Sequence, residues 1–157
     1  MKKLKITDLK RLMTKLLSET TFDDFFLKDG KISTYIDFLY EGRINKDFFD
    51  TDDEEKDQTY VKWARIRENA YNVIKGKRLP GFLQFNFLAN DDLKLKIGTH
   101  ESAEFSLNMG IVFKDKEAFV MTGVYKSEFS LDKTLDEDWD NFVCGFLREN
   151  EISYEIL

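Results

Sequence analysis

Two hydrophobic rhythms alternate along the chain, one with a period near 3.6 residues and one with a period of two. Leu9, Leu12, Met13, Leu16 and Leu17 fall on one helical face, and Lys10, Arg11, Thr14 and Lys15 on the opposite one. Thr7 or Asp8 is placed to cap this helix, which ends near Ser18. Lys3–Ile6 before it reads as a short strand. Phe22–Lys28 and Ile32–Arg43 read as two strands around an Asp29-Gly30 turn, because an Asp-Gly pair between apolar runs signals a hairpin. In the second strand Ile32, Thr34, Ile36, Phe38 and Tyr40 alternate with Ser33, Tyr35, Asp37 and Leu39.

The longest predicted helix is Gln58–Lys75. Tyr60, Trp63, Ile66, Ala70, Tyr71, Val73 and Ile74 give it a wide apolar face. Arg67 falls inside that face. It either snorkels or pairs with a carboxylate at the edge, or it is a buried charge that holds a ligand anion. Gly76 is placed as the helix stop, and Lys75, Lys77 and Arg78 suit the carbonyl end of the helix dipole. The acidic run Asp50–Asp57 stands at the opposite, N-terminal end.

Downstream, Phe82–Ala89 reads as a strand. Asn90 caps a short helical turn at Asp91–Ile97, although Leu93–Ile97 also suits a strand. Glu104–Phe113 and Ala118–Tyr125 read as strands joined by a hairpin loop. Asp136 opens a last helix to Asn150, burying Trp139, Phe142, Val143, Phe146 and Leu147, with Cys144 beside that stripe toward solvent. Ile152–Leu157 reads as a final strand. Short hairpin connections make the fold class α+β, a mainly antiparallel sheet with amphipathic helices. Length points to one domain, residues 1–157. The element order also points to an internal duplication of a strand-helix-hairpin-helix unit, with pseudo-repeats at 1–78 and 82–157. Trp63-Ala-Arg-Ile66 in the first unit answers Trp139-Asp-Asn-Phe142 in the second.

Composition changes this picture in three ways. Fifteen Phe, six Tyr and two Trp supply an aromatic core. A net charge of −6 disfavours wholesale binding to nucleic acid or anionic lipid and leaves only a local basic face. A single Cys excludes an internal disulfide and fits a reducing compartment. The first ten residues lack the layout of a signal peptide, and no apolar run is long enough to span a membrane. The expected setting is cytoplasmic, with no membrane partner.

Candidate chemistry is sparse. His100 stands in His100-Glu-Ser-Ala-Glu104, where a zinc-protease helix would need a second His, so no metal site is expected. Asp50–Asp57 lacks the sixth-position Gly of a calcium loop. No phosphate-cradling, dinucleotide or nucleophile-elbow glycine pattern occurs, and no cofactor is expected. Cys144 has no base beside it. Among the carboxylates, Asp37, inside an apolar strand, is the best single candidate for acid–base work, against the plainer reading that it points to water. The cationic candidates for anion or nucleic-acid binding are Lys10, Arg11 and Lys15 on the first helix, and Lys75, Lys77 and Arg78 in the turn after the long one.

The strand, helix and antiparallel strands, run twice, resemble one domain of a DNA sliding clamp. That resemblance implies helices facing DNA with basic faces on an acidic protein. The long helix at 58–75 and the very short one at 91–97 depart from it. Ile74-Lys-Gly-Lys-Arg-Leu-Pro80, Phe129-Ser-Leu-Asp-Lys-Thr-Leu135, the segment around Gly42-Arg43-Ile44 and the N-terminal Leu4–Leu17 resemble a domain-of-unknown-function family of short proteins from anaerobic Gram-positive bacteria. It implies no activity and no catalytic residue. Three readings follow: a non-catalytic binding or scaffold module of the bacterial cytoplasm, acting through a protein partner or self-association; a clamp-like or other DNA- or anion-binding protein; and an enzyme with a diffuse carboxylate site.

Overall fold

A computed structural model describes residues 1–157. In chain order the elements are β1 (Lys3–Ile6), α1 (Leu9–Leu17), β2 (Phe26–Ser33), β3 (Asp37–Glu41), β4 (Val61–Lys62), α2 (Trp63–Ile74), β5 (Phe82–Leu88), α3 (Asp91–Ile97), β6 (Phe105–Lys114), β7 (Glu117–Lys126), α4 (Thr134–Glu149) and β8 (Tyr154–Ile156). The strands form one sheet in the order β3-β2-β5-β6-β7-β1-β8, and β4 pairs with β2. Every neighbouring pair is antiparallel, so the fold is α+β as the pattern predicts.

Period-two alternation decides which face is the core. Leu83, Phe85 and Phe87 stand level with Phe113, Ile111 and Met109, and these with Ala118, Val120 and Thr122. All are buried, whereas the intervening Gln84, Asn86, Asn108 and Val112 are only half-buried. The helices lay their apolar stripes on the buried face: Leu12, Leu16 and Leu17 from α1, Trp63 and Ala70 from α2, and Trp139, Val143 and Leu147 from α4. Each fully buried aliphatic or Phe side chain contributes about 1.5–3 kcal/mol. One buried polar pair interrupts this face. The Thr122 hydroxyl donates to the Asp140 carboxylate and accepts the Lys2 N–H at 2.8 Å, tying β7, α4 and the start of β1 together.

Local signals set several ends correctly. Asp8 caps α1 by accepting the Arg11 N–H at 3.0 Å, and Asn90 caps α3 by accepting the Leu93 N–H at 2.8 Å. Gly76, at φ +142°, follows Lys75, the residue that closes α2. The β6–β7 hairpin closes through Asp115 and Lys116, both at positive φ, in the hand that suits strand twist.

Other expectations are corrected. Asp29-Gly30 is not a turn: β2 runs straight through it, and the chain reverses instead at Thr34–Ile36. Lys28 is the extra residue of a β-bulge, and Gly30 lies under the Phe85 ring. Residues 58–62 do not join the long helix. Tyr60 bridges Arg43, and Val61 and Lys62 pair with Leu27 and Phe26, prolonging the line of β3 after an excursion at 43–60. Ladder pairing and burial of Val61 outweigh helix propensity there. Cys144 is buried at 6% exposure, not turned to solvent. The duplication is not confirmed: β1 lies between β7 and β8, whereas β5 lies between β2 and β6, so the two proposed units do not share one pairing scheme.

Three glycine substitutions test this packing. A Cβ at Gly42 would run into the Leu27 carbonyl, where only backbone movement relieves it. A Cβ at Gly30 would stand 2.6 Å from Phe85 Cδ1, a ring that is itself fully buried. At Gly123 the nearest atom is 3.9 Å away. In urea unfolding, Gly42→Ala costs the most, Gly30→Ala about 1–3 kcal/mol, and Gly123→Ala within about 0.5 kcal/mol of zero. A different rank order contradicts the placement of β2.

Candidate functional site

The indole of Trp63 donates to the Leu16 carbonyl at 2.9 Å, joining the first turn of α2 to the last turn of α1. At the other end Leu9 and Lys10 lie across from Ile74 and Lys75, so the two helices run antiparallel. Between them lies an apolar trough of about 350 Å³, lined by Leu9, Met13, Leu17, Tyr71, Ile74 and Leu79. Tyr71 and Leu79 are 43% and 64% exposed, so its far wall faces water. Thr14 and Ser18 lie along its α1 side, and Lys10 and Lys75 flank it from the two helices.

The structure thus brings two of the sequence-predicted cations, Lys10 and Lys75, to one site. Lys77 and Arg78 are exposed in the turn that carries the chain to Leu79. None of these four forms an ion pair within 4 Å. The other two are committed elsewhere: Arg11 pairs with Glu151 at 3.3 Å and Lys15 with Glu19 at 3.2 Å. Arg67 is half-buried and directs its fork at Asp23, with Nε 2.9 Å from one carboxylate oxygen and Nη2 3.4 Å from the other. Its charge is therefore spent within the protein and not on a ligand anion. Met13, Tyr71, Ile74 and Leu79 carry no sequence signal for a groove, because an apolar helix face reads as core until the neighbouring helix is placed.

Carboxylates do not gather. Asp37 is exposed on β3, where it accepts from the Ser33 hydroxyl at 2.6 Å and lies 3.6 Å from Lys31 Nζ. The Ser33 hydrogen bond first, then the Lys31 charge, holds it below the usual carboxylate range. Asp132 is held down by the Thr134 hydroxyl and N–H. Burial raises the phenols of Tyr40 and Tyr154. None of these four lines any of the five principal recesses. No group of three His, Cys, Asp or Glu side chains is placed to hold a metal ion, and no helix is long and apolar enough to cross a membrane.

Fold and recesses together define an α+β protein with helices layered on one face of an antiparallel sheet and a basic-rimmed trough between two of them. The chain belongs to the family of unknown function DUF5721, whose model matches residues 15–155. No curated protein and no solved structure matches it.

The Asp37 arrangement predicts a pH response. A carboxyl whose folded pKa lies below its unfolded one stabilises the fold above the unfolded value, near 3.9, and loses that contribution as pH falls through the folded value. By carbonyl NMR titration Asp37 is expected to protonate below the ordinary range, and Ser33→Ala to move its midpoint upward. An unmoved midpoint contradicts the Ser33 contact.

Proposed function

We propose that the protein is a non-catalytic binding or scaffold module of the bacterial cytoplasm whose α1–α2 trough receives an acidic, apolar-faced segment of a protein partner. The observation that carries this is the pairing of an apolar floor with Lys10 and Lys75, cations with no ion pair on a chain of net charge −6. An apolar floor supplies affinity by area, and flanking charge selects an acidic segment and speeds its approach.

The DNA-binding reading is less well supported. A phosphate backbone needs a run of free cations along one face; on α1 only Lys10 remains unpaired, and the other free cations, Lys75, Lys77 and Arg78, are confined to one short turn. The trough floor is also apolar, which offers phosphate no hydrogen bond. The enzyme reading has no recess that combines a displaced acid with a nucleophile.

The test uses a synthetic amphipathic peptide with Leu on one face and Glu on the other. In amide NMR titrations its addition shifts residues 9–18 and 71–79, and Lys10→Glu/Lys75→Glu weakens it roughly fivefold to tenfold with the fold unchanged. Shifts elsewhere, or none, sink the reading. A random-sequence DNA duplex that binds with steep salt dependence while the peptide does not would replace it with the nucleic-acid reading.

A further inference from the structure

The connection from β7 to α4 carries two side chains that the fold leaves in water. Phe129 and Leu131 are 91% and 83% exposed, two residues apart on one short strap. The strap is tied down at its ends: the Ser127 N–H donates to the Glu104 carbonyl at 2.9 Å, and Lys126 Nζ donates to the Asp132 carbonyl at 3.0 Å. Its charge is negative. Glu128 and Asp132 flank the apolar pair, and Asp136, Glu137 and Asp138 follow in the first turns of α4, against one base, Lys133. Glu128, Glu137 and Asp138 are exposed and make no ion pair.

This is the chemistry that the trough selects, an apolar pair framed by acids. The strap cannot enter the trough of its own chain. The basic turn Lys75–Leu79 leads into Phe82, which is level with Lys114 and so with Glu117 at the start of β7. The strap leaves the other end of that strand, after Lys126. The ten residues of β7 span about 30 Å. We infer that the strap Glu128–Asp132 of one copy seats Phe129 and Leu131 in the α1–α2 trough of a second copy, between Lys10 and Lys75, an assignment that rests on the trough's being a binding site. Because donor and acceptor surfaces lie at opposite ends of the sheet, the contact is head-to-tail, and a pair keeps one free trough on one copy and one free strap on the other.

The experiment is sedimentation velocity on the full chain from roughly 10 μM to 1 mM. The expected result is a weight-average mass that rises with concentration above the 18.6 kDa monomer. Phe129→Ser/Leu131→Ser and Lys10→Glu/Lys75→Glu each change only exposed side chains, and each alone stays monomeric over that range. Mixed in equal amounts they form a dimer and nothing larger, since the first retains a working trough and the second a working strap. A wild-type chain that stays monomeric, or either variant associating as well as the wild type, overturns the inference. The synthetic acidic peptide separates the two failures. If it still shifts residues 71–79, the trough binds and only the strap assignment is lost; if it does not, both are lost.

Discussion

Trp63 is the side chain on which the helical layer depends. Its ring packs 4.7 Å from Phe85 and 5.2 Å from Phe87, and its indole N–H reaches the Leu16 carbonyl. The same residue's backbone N–H donates to Phe25 at 2.9 Å, and the next, Ala64, to Asp23 at 3.3 Å. These five contacts pin the start of α2 to the sheet, to α1 and to the loop between α1 and β2. An indole buried this fully needs a partner for its N–H, and the last turn of α1 supplies a carbonyl that lacks an intrahelical one. Phe85 in turn lies across Gly30, so the sheet can bring that ring close only where β2 has no Cβ. With α2 held at its first turn, the trough lies further along it, between α1 and the last turn of α2 with the turn that follows.

Charge follows the same division between interior and rim. Arg67 and Asp23 neutralise each other where α2 meets the α1–β2 loop, and Arg11 and Lys15 are answered by Glu151 and Glu19. The Arg11 and Lys15 pairs, whose acidic partners are open to water, contribute little to stability, about 0–1 kcal/mol each. Their effect is to remove charge from most of the α1 surface and leave Lys10 to act with Lys75. On an acidic protein a small unneutralised basic site is a stronger discriminator than the same site on a basic one, because the net charge of −6 works against an acidic segment binding elsewhere.

The hydrophobic pattern makes α1, α4 and the long β6–β7 hairpin legible through their periods, and Asn90 settles α3 as a helix where Leu93–Ile97 also suits a strand; α4 nevertheless opens at Thr134, so Asp136 lies in its first turn and does not cap it. It misplaced the first hairpin. Asp29-Gly30 carries a strong turn signal, yet the Gly serves a close ring contact with Phe85, 55 residues further along the chain, which no local window sees. It lengthens α2 through residues 58–62 because Tyr60 keeps the helical spacing with Trp63, while Tyr60 bridges Arg43 and Val61 pairs with Leu27. Cys144 reads as solvent-facing when the stripe is centred on Phe142 and Phe146, but the buried face of α4 is turned toward Trp139, Asp140, Val143, Cys144 and Leu147, and Phe142 and Phe146 are half-buried at its edge.

The sequence by itself determined the class of fold, the reach of each period and the identity of the cations, since these are properties of neighbours along the chain. Only the tertiary structure decided which cations remain free, where the antiparallel helices part, and that the exposed strap lies at the other end of the sheet from the trough. Those are relations between residues far apart in sequence, such as Lys10 with Lys75, Arg67 with Asp23 and Arg11 with Glu151. They follow from strand order and register, which depend on how all the faces are buried at once.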